Sequence, residues 1–423
     1  MTSVEDSDVG ATTFPRGFAR DVKWPWPLVP ARDLITLNYG RALKAEVRRP
    51  GSVPVFGTNG QCGWHDIPLA KAPGLILGRK GQGPLGVEWC DQDFWVIDTA
   101  YYVSTRRPDV DLKYLYHLVS YIGLNHLKDG TSNPTLSRDT FGAQLLPLPP
   151  LAEQKRFARI LGTLDDKIEL NRQMNATLEA MAQTIYQSWF VDFDPVKRNA
   201  AGGAQRPEDP LFPDSFQDSA AGDIPLGWTV ERVGDVVDCV GGGTPSTKEP
   251  KFWDDGVHHW TTPKDFSSLQ SPILNDTSRK LTNAGIAKIS SGLLPAGTLL
   301  LSSRAPVGYL AISAIPVAIN QGFIAMKCND RASNYFMLNW CQSNMGKIKS
   351  RATGTTFPEI SKNSFRPIPI VLPPKGIMAE FTAKVEPLYA QITANLHQTV
   401  TLTTIRNELL PKMLSGTLKF ACQ

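Results

Sequence analysis

Between Leu151 and Phe190 the chain holds one glycine, Gly162, and no proline, and its apolar and small-amide residues recur at short intervals. They fall at Phe157, Leu161, Leu164, Ile168, Asn171, Asn175, Leu178, Met181 and Ile185. Steps that alternate mostly between four and three trace the seam of a coiled coil. Moving each position on by 224 residues lands on Phe381, Val385, Leu388, Ile392, Asn395, Thr399, Leu402, Ile405 and Leu409, so the seam is written twice. The spacing predicts two matched helices of about 40 residues, each about 60 Å long at 1.5 Å per residue. Both follow a double proline, Pro149-Pro150 and Pro373-Pro374, a good place to start a helix because its first turn needs no donor there. Asn171 and Asn395 share one seam position, where a buried amide fixes register at some cost in stability. Pro387, inside the second copy, is expected to kink or loosen that helix.

The repeat extends backward from the helices. Gly130-Thr131-Ser132-Asn133-Pro134-Thr135-Leu136 matches Gly354-Thr355-Thr356-Phe357-Pro358-Glu359-Ile360 at the same offset, and Ser137 and Phe141 match Ser361 and Phe365. Gly74-Leu75-Ile76-Leu77 parallels Gly297-Thr298-Leu299-Leu300-Leu301, and Val96-Ile97-Asp98 parallels Ala318-Ile319-Asn320. Short apolar runs between Gly and Pro read as strands. Helical stretches near Lys113 to Ile122 and Asn334 to Met345 complete each block. The fold class is therefore α+β: two tandem mixed domains, each followed by a long helix. The natural arrangement for such a duplication is an antiparallel coiled coil with pseudo-two-fold symmetry. The expected divisions are a loose tail over residues 1–16, a first domain over 17–150 and its helix over 151–193. A Pro/Gly-rich linker over 194–222, a second domain over 223–373 and a second helix over 374–418 complete the chain.

A length of 423 residues suits two to three domains at roughly 150 residues each. No run of about 18 apolar residues exists to span a membrane. The polar, acidic start lacks the pattern of a secretory leader, which points to a cytoplasmic protein. Six cysteines and six histidines show no spacing for zinc or a disulfide framework. The adjacent pair His258-His259 would point to opposite faces of a strand. The formal net charge is only +4, but it is unevenly spread. Lys and Arg outnumber Asp and Glu by 15 to 12 over residues 17–150 and by 15 to 11 over 223–373, whereas acidic residues lead by 11 to 8 over 151–222.

Catalytic motifs find little support. Gly81-Gln82-Gly83-Pro84-Leu85-Gly86 satisfies a dinucleotide pattern, yet strand-like residues follow where the pyrophosphate needs a helix, so a Gly-rich hairpin loop is expected. Gly241-Gly242-Gly243-Thr244-Pro245 lacks the lysine of a phosphate loop. Asp109, Asp111 and Lys113 are too compressed for a metal-dependent nuclease site, and Asp165-Asp166-Lys167 falls on the long helix as a solvated face. No Asn-Pro-Pro or Asp-Pro-Pro tetrapeptide of an adenine methyltransferase occurs.

Leu148-Pro149-Pro150-Leu151-Ala152-Glu153-Gln154 before the first seam and Trp189-Phe190-Val191-Asp192-Phe193-Asp194-Pro195 after it resemble the central region of type I restriction–modification specificity (S) subunits. Ile224-Pro225-Leu226-Gly227-Trp228 resembles the opening of their second target-recognition domain. Leu409-Leu410-Pro411-Lys412-Met413-Leu414-Ser415-Gly416 resembles their carboxy end, and Pro54-Val55-Phe56-Gly57-Thr58-Asn59-Gly60 an early recognition loop. The likeness covers about Gly17 to Leu418. It departs at Lys375 to Met378, where the second copy lacks the Glu-Gln pair, and at Pro387.

The resemblance implies a non-catalytic, sequence-specific DNA-binding subunit that reads a bipartite site on double-stranded DNA. It would direct modification (methyltransferase) subunits, two of them, and restriction (endonuclease/translocase) subunits to that site. S-adenosylmethionine, ATP and Mg²⁺ would belong to those partners, with no cofactor or metal in this chain. Candidate DNA contacts are positions where a loop, a glycine and a hydrogen-bond donor coincide. These are Asn59, Arg79, Lys80, Thr131 and Ser132 in the first domain, and Lys264, Arg304, Thr355, Thr356 and Lys362 in the second. Arg and Lys can pair with guanine edges or phosphates, and Thr, Ser or Asn with either.

Overall fold

The computed structural model describes residues 25–203, 206–354 and 358–418. The expected tail over residues 1–16, and with it Thr355 and Thr356, lies outside the described residues. The chain divides into two compact units, Met1–Ile168 with Thr401–Gln423, and Glu169–Val400. Both divisions fall within a long helix, so each unit joins one mixed domain to a piece of each helix.

In the first unit a four-stranded antiparallel sheet runs in the spatial order Ile35–Tyr39, Ala100–Thr105, Gly74–Gly78, Val87–Cys90. A three-stranded sheet sets Val53–Gly57 between antiparallel Gly60–His65 and parallel Trp95–Val96. Every residue of Gly74–Gly78 is buried, which is why that strand is apolar throughout instead of alternating. The helix Leu112–Ile122 starts where the Asp111 carboxylate accepts the Tyr114 N–H at 2.8 Å, satisfying one of the donors a helix start leaves open. It ends at Gly123, whose φ of 71° suits a residue without Cβ. Tyr114, Leu115, Leu118 and Val119 of this helix share one core with Phe157 and Leu161 of the first long helix and with Leu410, Met413 and Leu414 of the second.

The second unit repeats this plan. Its larger sheet runs Asp238–Gly241, Phe323–Lys327, Leu299–Ser302, Leu310–Ser313, with a fifth strand, Ile273–Leu274, appended. Its smaller sheet sets His258–Thr261 between antiparallel Arg279–Leu281 and parallel Val317–Ile319. The helix Asn334–Ser343 is capped by Ser333, the counterpart of Asp111.

The long helices span Leu151–Phe190 and Lys375–Leu414, 40 residues each. They are antiparallel within the second unit. Asn171 Nδ2 lies 2.9 Å from Gln398 Oε1, whereas nearer the other end the Phe190 and Phe381 rings are 4.9 Å apart. The expected register amides are buried and joined, Asn395 Nδ2 donating to Asn175 Oδ1 at 2.8 Å and Asn171 Nδ2 reaching the Asn395 carbonyl. Within each unit Phe157, Leu161, Phe381, Val385 and Ile392 are buried, and Leu164, Ile168, Leu178, Leu388 and Leu402 are partly so. One seam position fails in both copies: Met181 is 48% and Ile405 42% exposed. Burial passes instead to Ala182 and Tyr186 in the second unit and to Leu410 in the first. Steps of four replace the four-three alternation there, as a straight helix of 3.6 residues per turn drifts off a 3.5 repeat. Pro387 sits exposed in an unbroken helix, flanked by buried Val385 and Tyr389.

The segment 194–222 is more than a linker. It opens with a helix, Asp194–Ala200. Arg198 clasps the fully buried Asp209 carboxylate at 2.9 and 2.5 Å, and Asn199 Nδ2 donates to the Asp209 and Phe212 carbonyls. Phe212 packs on Trp189. A composition rich in Pro and Gly hides these anchors, because each is a single side chain.

Candidate nucleic-acid interface

Three loops distant in sequence meet in the first domain. Asn59 lies at the tip of the turn between Val53–Gly57 and Gly60–His65, exposed, with Gly60 at φ 113°. Beside it Thr58 Oγ1 donates to the Lys80 carbonyl at 2.7 Å, and the Thr58 carbonyl accepts from Gly86 N–H. The loop after Gly78 is tied in turn to the 128–135 segment. Gly81 N–H donates to the Pro134 carbonyl, and Gln82 Nε2 donates to the carbonyls of Thr131 and Ser132 at 3.1 and 2.8 Å. Lys128 Nζ reaches the Gly81 and Gly83 carbonyls at 3.2 and 2.9 Å. The five first-domain candidates thus stand in one cluster, with Asn59, Thr131 and Ser132 exposed.

Arg79 and Lys80 are engaged within that cluster. Lys80 Nζ pairs with Asp98 at 2.8 Å, and its hydrogen bond holds the Asp98 carboxyl below the ordinary range. Arg79 Nη1 donates to the Asp98 carbonyl, and its guanidinium lies 4.8 Å from the Tyr39 ring centroid. Arg138 also lies over the Tyr39 ring, 3.8 Å from its centroid. Sequence reasoning missed Tyr39, Gln82, Lys128 and Arg138. Gln82 could have been found, because it sits inside the Gly-rich loop already singled out. Tyr39 and Arg138 carry no local signal.

The second domain assembles its loops on the same backbone frame. Ile360 N–H donates to the Ser303 carbonyl at 3.0 Å, as Leu136 N–H donates to the Arg79 carbonyl at 2.7 Å 224 residues earlier. Ser303 N–H bonds the Gly322 carbonyl, Asn320 N–H the Thr261 carbonyl, and Thr244 Oγ1 the Gln321 side chain at 2.7 Å. Around this junction lie Lys264, exposed in the short helix Pro263–Phe266, and Arg304, whose Nη1 is 3.6 Å from Glu359. Lys362 lies over the backbone of Gly241. Of the tryptophans, Trp260 is buried and donates to the Gly243 carbonyl, Trp253 supports Arg279 at 3.5 Å, and Trp64 is half exposed.

The rejected motifs are occupied by structural work. Gly81–Gly86 leads into the strand Val87–Cys90, and Asp109 pairs with Arg107. His258 and His259 bond to different partners, Asn283 and Thr277. Among the described residues no group of three or more His, Cys, Asp or Glu is placed to hold a metal, and no helix is long and apolar enough to cross a membrane. What the clusters offer is exposed amides and hydroxyls beside cations on rigid turns, groups suited to hydrogen-bonding polar edges and phosphates.

A solved structure, the S subunit of a type I restriction–modification system from M. genitalium, matches this fold. The TM-score is 0.59 over 95% of this chain and 99% of that one, at 15% identity. Among sequence relatives, the type I restriction enzyme HindI specificity subunit of Haemophilus influenzae is 27% identical over 390 residues, 80% of this chain and 84% of the relative. The MjaIX specificity subunit of Methanocaldococcus jannaschii is 33% identical over 160 residues, 37% of each chain. Residues 25–180 and 225–402 both match the family described as type I restriction modification DNA specificity domain, and with most of its length so covered the chain belongs to that family of specificity subunits.

Proposed function

We propose that this specificity subunit reads a bipartite site on double-stranded DNA, one half with each domain, and directs two modification subunits and the restriction subunits to it. The observation that carries this reading is the duplication of the loop cluster: one backbone frame, built twice, displays different side chains in each copy. Two readers with a shared frame and separate contacts suit a site of two unlike halves. In the first domain the reading donors are Asn59, Thr131 and Ser132. In the second they are Lys264 and, outside the described residues, Thr355 and Thr356. The reading modules correspond to residues 17–150 and 223–373. The chain itself does no bond chemistry in this reading. S-adenosylmethionine, ATP and Mg²⁺ serve the partner subunits, and the complex works in the cytoplasm.

Exchange of residues 223–373 for the matching block of a relative tests this in cells that carry the methyltransferase partner. Methylome sequencing is expected to show one half of the modified motif altered and the other kept. A change in both halves together would remove the two-reader model.

A further inference from the structure

Beside the outer strand of the first domain's larger sheet, Ile35–Tyr39, lies a groove of about 220 Å³ whose lining includes Arg32, Arg106, Arg138 and one acidic residue, Asp139. None of the three arginines has a carboxylate partner among the described residues. Arg106 Nε donates to Thr36 Oγ1 at 2.8 Å, and Arg138 lies 3.8 Å from the centroid of the Tyr39 ring, over which Arg79 of the loop cluster also lies. Arg138, which lines the groove, thereby shares the Tyr39 ring with Arg79.

The second domain keeps cations at the same place while changing their carriers. Arg138 and Lys362 occupy one repeat position, the first residue of a short helix capped by Ser137 or Ser361, and each lies over the last residue of the outer strand, Tyr39 or Gly241. At the neighbouring crossing of two short helices the roles are exchanged. A Cβ on Gly142 would sit 3.1 Å from the Arg32 Cβ, and one on Gly234 would sit 2.7 Å from the Arg366 Cβ. The backbone bonds Ala31 N–H to Gln144 carbonyl and Val233 N–H to Ile368 carbonyl align Arg32 with Gly234 and Gly142 with Arg366. Close packing at that crossing asks for one residue without a side chain. It does not ask for a cation opposite, yet both copies supply one from opposite sides of the contact.

We propose that this edge is a phosphate-binding site for the DNA backbone in both domains, built from Arg32, Arg106 and Arg138 in the first and from Lys362 and Arg366 in the second. The inference rests on the DNA-reading function proposed above and deepens it. A contact that reads a base depends on the identity of the side chain, whereas a phosphate contact needs only positive charge within reach. Retained charge with exchanged carriers is the pattern of the second kind.

The test uses the full-length chain carrying Arg138→Ala or Lys362→Ala, with Arg138→Lys and Lys362→Arg as charge-keeping partners and Arg172→Ala on the exposed helix face as control. Fluorescence anisotropy follows binding to a duplex bearing the methylated motif and to an unrelated duplex, across roughly 50 to 200 mM salt. Each alanine variant is expected to lower the slope of log affinity against log salt by about 0.9, one phosphate's worth, equally on both duplexes. The Lys and Arg variants restore the slope, the control keeps it, and the methylome motif does not change. An unchanged slope in both alanine variants, or an altered motif in either, overturns the proposal. Should Arg138→Ala unfold, Lys362→Ala decides, since that side chain is partly exposed at the start of a four-residue helix. Failure of the unsubstituted chain to bind DNA in a salt-dependent way would instead count against the function itself.

Discussion

Where each long helix leaves its domain, the first copy buries an amide and the second a thioether. Gln154 is fully buried, its Oε1 accepting from Asp111 N–H at 2.8 Å and its Nε2 donating to the carbonyls of Asp109 and Pro149 at 2.9 and 2.7 Å. At the same repeat position Met378 is buried with its sulfur 4.0 Å from Ser333 Oγ. About three turns further along, His117 and Asp165 in the first unit, with Arg406 at 2.7 Å from Asp165, answer to Asn339 and Tyr389 in the second. Around these differences the aromatic frame holds: the Tyr114 and Phe157 rings are 6.4 Å apart, and so are Phe336 and Phe381. The lesson is that the frame demands volume and caps at fixed places. Polar chemistry is free to differ wherever each copy satisfies its own donors and acceptors.

The largest effect expected from breaking this comparison is at the shared ring. Phe157→Ala and Phe381→Ala should each cost about 3 to 5 kcal/mol, because both remove a buried aromatic from a packed core. Chemical denaturation of the two variants measures this, and a clearly smaller loss in either copy would show that the frame is not shared energetically. Next in size is the exchange of the unlike residues. Gln154→Met, which imports the second copy's solution, should destabilise by about 3 kcal/mol, since it strips partners from a part-buried N–H and carbonyl and from the buried Pro149 carbonyl. Met378→Leu should cost less than about 1.5 kcal/mol, being close to volume-conserving. Equal costs would mean that Gln154 acts only by filling space.

A further effect, between those of Gln154→Met and Met378→Leu in size, separates the copies by pH. Burial holds the His117 imidazole neutral and pushes its pKa down to about 4, against the pull of Asp165. As pH falls from about 6.5 toward 4 the unfolded chain takes up a proton that the folded chain refuses, so folded stability declines over that window and levels off below it. At pH 5 the decline should amount to about 2 kcal/mol. Amide exchange in the Leu112–Ile122 helix reports it, and His117→Asn, the second copy's residue, should abolish it. Persistence of the decline in that variant would assign it to another group.

Much of the candidate site was legible because glycines and donors that cluster in sequence also cluster on turns: Asn59, Thr131 and Ser132 stand exposed where the loop argument put them. Arg79 and Lys80 looked the same in sequence, yet their charge is drawn inward by Asp98 and Tyr39. A basic residue on a loop does not reveal whether an acid or a ring 18 to 40 positions away will hold it.

The sequence by itself determined the duplication, the two helices and their starts, because caps and apolar periodicity act between residues a few places apart and are written twice with one offset. It also determined Asn171 and Asn395 as seam amides. Tertiary structure alone decided that Met181 and Ile405 turn outward, that Arg198 and Asp209 order the segment after the first helix, and that Arg138 rests on Tyr39. Each of those outcomes depends on which side chains from distant segments arrive at one point, and burial of a charge or a ring is settled only when its partner is there to offset the loss of water.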